Sequence, residues 1–367
     1  MILYLSLTHN CQLRCDYCYA GDKYHKPMSK ETIIKAIEFT LQLPMQKLEF
    51  GFFGGEPLME WELFQFATYQ IEKETEKREI KLVKTFTTNG ILLNKEKVQW
   101  LKTHGFYVVV SIDGNDKMHN THRHYSNKKE SFQEVEQGIL ELQKEYKKGE
   151  YAVISVVTPQ NITHLNESLA YLHQELNITD IHLALNYFGE WRDKTEEYTQ
   201  LYHDVGDYVI EQYRKSREIN LDIIDDKIKT AIESNCATCS FGEQKIAVAP
   251  SGNIYPCERL IGEDTEALSI GNVYSGFDHA KRNRLIEQRG NSNEECRTCP
   301  IKERCSNSCG CTNYTLTESI DKTNGVVCFF QKLFIEVADN VASTLYAEKN
   351  KLFLQKFYGR CLPLHSS

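Results

Sequence analysis

The stretch Cys11-Gln12-Leu13-Arg14-Cys15-Asp16-Tyr17-Cys18 stands directly behind a short apolar run, residues 2–7, and that placement decides how the chain is read. Three thiols in a C-x3-C-x2-C order are one short of the four that close a tetrahedral zinc site or an iron–sulfur cube. A cube held by three thiolates keeps one iron free for an outside ligand, which suits catalysis better than storage of charge. The same spacing is also compatible with part of a zinc site. In parallel α/β folds the chemistry sits on loops at the carboxyl ends of strands. The next question is therefore whether residues 2–7 open such a series.

Five more β-rich runs follow, at residues 48–53, 80–87, 107–112, 152–157 and 181–186. Between them lie amphipathic stretches at 29–43, 61–77, 95–104, 131–146 and 165–176. In the first of these Ser29 can cap the helix, and Thr32, Ile33, Ala36, Ile37 and Thr40 recur at helical spacing. Alternation of this kind predicts an α/β fold of six βα units around a parallel sheet, spanning 1–215. A charged helical stretch, 194–218, leads out of it, and 216–235 reads as a linker. The region 236–330 is rich in cysteines, turns and short strands, as expected of a loop fold held by metal. In the C-terminal helix and tail, 331–367, residues Leu333, Phe334, Val337, Ala338 and Val341 continue a helical spacing that starts at Phe330 and predict a docking helix.

Composition narrows the function. The 367 residues carry 43 Lys plus Arg against 51 Asp plus Glu, a net charge of −8, so no basic excess is available to neutralise nucleic-acid phosphates. No apolar run approaches the ~20 residues that span a bilayer, and the apolar start is too short for a signal-peptide core. These features predict a cytoplasmic protein with neither nucleic-acid nor membrane partners. Thirteen cysteines in a reducing compartment point to metal or redox chemistry rather than disulfides. Three lie within 11–18, none within 19–235 and ten within 236–361, which implies two separate metal-binding regions.

Further motifs lie on the other strand ends. Gly54-Gly55-Glu56-Pro57 follows the second predicted strand, Thr88-Asn89-Gly90 the third, and Ser111-Ile112-Asp113-Gly114 the fourth, with Arg123 twelve residues after Ser111. Together with Cys11, Cys15, Cys18 and the aromatic Tyr17 before the last thiol, this order resembles the radical S-adenosylmethionine (SAM) superfamily. The resemblance implies a partial (β/α)6 TIM barrel. It also implies a 4Fe-4S cluster on the three cysteines, with SAM contacts from Tyr17, Gly54, Gly55, Glu56, Asn89, Ser111 and Arg123. Glycines allow close approach of backbone to ligand. Glu56 suits either the SAM ammonium group or neighbouring backbone donors.

The C-terminal field runs Cys236-x2-Cys239, then Gly252-x4-Cys257, then Cys296-x2-Cys299-x5-Cys305-x3-Cys309, with Cys328 behind. It resembles the SPASM extension of radical SAM enzymes. The resemblance implies two auxiliary 4Fe-4S clusters, one on Cys236, Cys239, Cys257 and Cys309 and one on Cys296, Cys299, Cys305 and Cys328. Paired zinc knuckles are the alternative. The C-x2-C spacing at 236–239 is tighter than in sulfatase-maturating relatives, and without Cys236 the first auxiliary cluster would keep an open iron. Cys311 and Cys361 are left over, although Cys311 could replace a neighbouring ligand. Glu258, directly after Cys257, occupies the place where relatives carry an aspartate that serves as general base. Tyr255 and the segment from His119 to His122 read as packing residues.

The implied activity is cleavage of SAM to a 5′-deoxyadenosyl radical and oxidative modification of a ribosomally made peptide, as a thioether or carbon–carbon crosslink. Formylglycine formation on a sulfatase, oxidation of a small molecule, and electron storage without catalysis are the competing readings. A ferredoxin or flavodoxin is the expected electron donor. Because Cys11 arrives at once, a leader-recognition module is expected, if used, as a separate protein.

Overall fold

The computed structural model describes residues 1–233, 239–288, 294–305 and 309–359; Cys236 and Cys361 lie outside them. Its centre is a sheet whose first six strands are β1 (Ile2–Ser6), β2 (Lys47–Phe53), β3 (Lys81–Thr88), β4 (Phe106–Ser111), β5 (Tyr151–Val157) and β6 (Asp180–Leu185). They pair in chain order and all in parallel, for example Leu3 against Phe50 and Val110 against Val153. Each falls within a residue or two of its sequence expectation. Parallel pairing demands a crossover between strands, and helices Lys30–Leu41, Trp61–Glu76, Lys95–Thr103 and Phe132–Leu142 supply the first four. The fifth crossover, expected as one helix over 165–176, is α-helical over Leu165–Ala170 and continues as a π turn over Tyr171–Glu175.

The two faces of the sheet differ in a way the period-2 side-chain alternation dictates. On β1, Leu3 and Leu5 are fully buried in the main core with Ile33, Ala36 and Ile37 of the first helix, while Tyr4 points to the half-exposed face. On β4, Phe106, Val108 and Val110 are buried and Tyr107, Val109 and Ser111 are half-exposed. The helices thus cover one face, and the other is only partly exposed, since Ser6 and Ala152 are buried on it.

The stretch 216–235, read as a linker, carries structure of its own. Asn220–Leu221 form a seventh strand, β7, parallel to β6, and Asp222–Glu233 form a helix. That helix buries Asp225 and Lys227 beside Ile224 and Ile228, which is why its local sequence reads as solvated. The charges find partners far along the chain: Asp225 accepts from Lys356 Nζ at 2.6 Å, and Lys227 Nζ donates to Gln331 Oε1 at 2.6 Å.

The C-terminal region joins the same sheet. Strand β8 (Lys245–Val248) adds to β1 in parallel, opposite β2, and β9 (Asn253–Tyr255), β10 (Gly271–Asn272) and β11 (Gly276–Phe277) continue as an antiparallel meander. The eleven strands end at β11 and β7, so the sheet is open. The apolar stretch expected to dock forms helix Gly325–Ala347, with Phe330, Phe334, Val337 and Val341 in the main core. Among the described residues no helix is long and apolar enough to cross a membrane.

Candidate functional site

The loop that carries Cys11, Cys15 and Cys18 leaves the carboxyl end of β1 and is stitched to the loops after β2 and β3. Gly55 N–H donates to Thr8 O at 2.9 Å and Glu56 N–H to Asn10 O at 2.8 Å. Only glycine fits these two positions. A Cβ on Gly54, whose φ is +117°, would stand 2.3 Å from Ser6 Oγ, and one on Gly55 would stand 2.0 Å from Asn10 O. Glu56 is buried, and its carboxylate accepts from Leu58 N–H at 3.0 Å, Thr88 Oγ1 at 2.9 Å and Asn89 N–H at 2.8 Å. It uses the neighbouring backbone donors and so clamps the second strand-end loop to the third. Burial outweighs these bonds and pushes its pKa up to about 7.

Donors also meet the sulfurs. Cys11 Sγ receives Leu13 N–H at 3.4 Å and Asn89 Nδ2 at 3.6 Å, and Cys18 Sγ receives Lys23 Nζ at 3.1 Å. Burial pushes the Cys11 thiol up to about 11 and the Cys15 thiol up to about 12, so both stay neutral unless a bound cation supplies compensating charge. Among the described residues no three Cys, His, Asp or Glu side chains converge as a formed metal site; the chemistry of the donor set, three thiols on one loop with N–H and ammonium donors at Cys11 and Cys18, is that which would hold a three-thiolate iron–sulfur group.

A second knot ties the cysteine loop to β4. Tyr17 Oη donates to Asp113 Oδ2 at 2.5 Å, Arg123 Nε donates to Asp113 Oδ1 at 2.9 Å, and the Arg123 guanidinium lies 5.4 Å from the centroid of the Tyr17 ring. Asp113 also accepts from Val156 N–H at 2.9 Å and is fully buried. Arg123 and Tyr17 therefore meet at an aspartate whose part the sequence reading missed, because its partners lie 10 and 96 residues away. Asp16 makes a similar tie, accepting from His124 Nε2 at 3.0 Å and His122 Nδ1 at 3.3 Å. His119 is buried against Ser131 Oγ at 3.1 Å, and Tyr255 donates to Thr265 O at 2.6 Å. Ser111 is the last residue of β4, half-exposed on the same face as Tyr107 and Val109.

The C-terminal thiols fall into two groups. Cys257 and Cys311 are buried with Phe241, Leu260 and Ile320, and Cys239 and Cys309 pack against them. Cys309 Sγ and Cys311 Sγ are 3.5 Å apart, and Cys311 also reaches Cys257, so the thiol left over in the sequence reading sits inside the first group. Cys328 lies beside Cys296 and Cys299 in the second, with Cys305 buried on the same segment. Glu258 is 2.9 Å from Lys245 Nζ of β8, and Cys257 Sγ lies 3.5 Å from its carboxylate. Burial works against the Lys245 ammonium and Glu258 more than restores it, so its pKa is held above the usual range.

A cavity of about 630 Å³ opens between the end of β6 and this region. Tyr19, the residue after Cys18, lines one side; Cys311, Thr312 and Thr315 of helix Gly310–Thr317 line another, with Asn186, Phe188 and Arg259 between them. Tyr19 stacks on Phe53 of β2 with ring centroids 5.9 Å apart. The space therefore touches both thiol-bearing regions. The sequence reading missed it because its walls come from four separate segments.

Known proteins resemble the chain over the same regions. Residues 5–172 match the Radical SAM superfamily model. The cysteine-type anaerobic sulfatase-maturating enzyme of Clostridium perfringens (strain 13 / Type A) is 22% identical over 324 residues, 82% of this chain and 86% of that one. The enzyme of the same description from Clostridium novyi (strain NT) is 23% identical over 374 residues, 95% of this chain and 97% of that one. The solved structure described as native anSMEcpe with bound AdoMet and Cp18Cys peptide superposes with a TM-score of 0.80 at 21% identity, covering 95% of this chain and 99% of its own.

Proposed function

We propose that this chain, whose residues 5–172 match the Radical SAM superfamily model and which is homologous to the anaerobic sulfatase-maturating enzymes, oxidises a ribosomally made peptide, joining two of its residues by a thioether or carbon–carbon bond. The observation that carries the reading is the cavity of about 630 Å³ that borders Tyr19, next to Cys18, on one side and Cys311 on the other. A peptide segment seated there lies between a site of hydrogen-atom removal and a site that accepts electrons.

The chemistry supplied by SAM on a cluster held by Cys11, Cys15 and Cys18 is release of a 5′-deoxyadenosyl radical able to take a hydrogen atom from unactivated carbon. Gly54 and Gly55 let the loop after β2 close on the cysteine loop, and Asn89, Ser111 and Arg123, the last held by its buried pair with Asp113, are the residues that would bind SAM. Glu56 and Asp113 hold the strand-end loops after β1, β2, β3 and β4 in one arrangement. Glu258, 2.9 Å from Lys245 Nζ, is the carboxylate that would receive the proton leaving the substrate as it is oxidised. The thiol groups around Cys257 and Cys328 would hold two auxiliary clusters that take the remaining electron, with a ferredoxin or flavodoxin as the outside donor. A separate leader-recognition protein would complete the system.

The test is the mass of the peptide encoded beside this gene after anaerobic incubation with reconstituted enzyme, SAM and reductant. A crosslink appears as loss of two hydrogens, and fragmentation locates the bond. The two maturase relatives favour a second reading, formylglycine formation, which on a cysteine substrate replaces sulfur by oxygen with loss of two hydrogens. Absence of 5′-deoxyadenosine from the reaction overturns both.

A further inference from the structure

We propose that Arg259 is the anchor for a carboxylate of the substrate, so that the cavity beside β6 selects a peptide by an Asp or Glu side chain or by its C-terminus. The inference rests on the reading of the substrate as a peptide and names what that peptide must carry.

Arg259 sits in the short turn Glu258–Leu260, directly behind the Cys257 group. It lines the cavity of about 630 Å³ and also the adjoining one of about 260 Å³. Its guanidinium lies 5.2 Å from the centroid of the Tyr19 ring and 3.5 Å from Thr312 Oγ1. Among the described residues no carboxylate lies within ion-pair distance of it. That sets it apart from Arg123, paired with Asp113, and Arg304, paired with Asp339. Carboxylates of the same cavities are occupied or do not pair with it: Asp222 is bound to His182 and to Leu183 N–H, Asp226 is 3.8 Å from Lys229 Nζ, and Glu318 lines the larger cavity without pairing Arg259.

A guanidinium carries five donors in a planar fork that matches a carboxylate. One long bond to a hydroxyl and one aromatic face leave most of that capacity unused. Arg259 is exposed at the cavity, so an incoming anion can reach its guanidinium directly. The rim is apolar: Tyr19 is 39% and Phe188 54% exposed, and both line the larger cavity. A peptide with one acid flanked by apolar contacts complements this lining. The competing role is charge balance, since Cys257, Cys309 and Cys311 stand nearby and would be thiolates around a bound cluster.

The experiment measures binding of labelled cysteine-containing peptides to the reconstituted, SAM-loaded enzyme under anaerobic conditions. Three peptides differ only in charge: one with an internal Asp, one with Asn in its place, and the Asn form amidated at its C-terminus. Wild-type enzyme is expected to bind the acidic forms roughly tenfold or more tighter than the neutral one. The arm that loses affinity tells the side chain from the C-terminus. R259Q is expected to erase the preference and R259K to keep part of it, while the electron paramagnetic resonance spectra of the reduced clusters stay unchanged. An undiminished preference in R259Q, or altered cluster spectra with the preference intact, overturns the proposal. N-acetylglutamate against N-acetylglutamine is the second probe. If it binds in an Arg259-dependent way and no peptide binds, the carboxylate site stands and the peptide reading falls; if nothing acidic binds preferentially, the Arg259 proposal itself falls.

Discussion

The two cysteine regions of this chain are built by opposite means. At the N-terminus the thiols hang on a loop at the end of a long parallel strand, and Glu56 and Asp113 bond the strand-end loops through donors that include Thr88 of β3 and Val156 of β5. At the C-terminus the thiols sit on short segments: Cys239, Cys257, Cys309 and Cys311 around a small core with Phe241, Leu260 and Ile320, and Cys296 of Glu294–Arg297 beside Cys328. A reactive site that must hold a small cofactor still is supported by the sheet itself. If the C-terminal thiols hold auxiliary clusters, as proposed, that region would depend on the metal for its own fold.

The largest expected effect follows from that contrast. Withholding iron should leave β1–β6 and helix Gly325–Ala347 protected from hydrogen exchange, because both lie in the main core. Exchange in 294–305 and 309–323 should rise by roughly 100-fold or more, as local opening costs little without metal. Equal protection of the two regions in the iron-free protein would break the comparison.

A smaller effect probes the N-terminal region alone. Asp113→Asn removes the charge that pairs Arg123, whose guanidinium is buried with it, and weakens the acceptor for Tyr17. Removing one partner of a buried ion pair costs about 3–5 kcal/mol. Urea unfolding should register that loss, and SAM binding should weaken because Arg123 is freed from its position. A loss within about 0.5 kcal/mol, with SAM affinity intact, would show that the knot is dispensable.

How far these features were legible in the sequence follows from the range of the interactions. The six strands could be read because each is a local run of β-branched and aromatic residues, and the cysteine and glycine motifs because they fall at the strand ends. The pairs β7, β10 and β11 are two residues each and leave no periodic trace. Helix Asp222–Glu233 read as a linker because its buried Asp225 and Lys227 are satisfied by residues 131 and 104 positions away. Arg259 could not be singled out, since an arginine in a turn is ordinarily solvated; only the cavity around it gives it meaning.

The smallest effect separates the two roles that the sequence left open for Glu56. Its pKa is pushed up from 4.5 to about 7, by burial against three donated hydrogen bonds. A carboxyl whose folded-state pKa is raised holds a proton that the unfolded chain has already released. Its contribution to stability is therefore fully present below pH 4.5 and lost as pH rises to about 7, by up to about 3 kcal/mol. The wild-type minus E56Q difference in unfolding free energy, followed from pH 5 to 8, should fall across that window and then level. If Glu56 only clamps the loops, saturating SAM leaves this profile in place. If its carboxylate also faces the SAM ammonium, the added positive charge favours the ionised form, lowers the pKa and flattens the profile. A flat profile without SAM would mean that water reaches Glu56 and that the strand-end loops are looser than their hydrogen bonds imply, which would erase the contrast between the two regions.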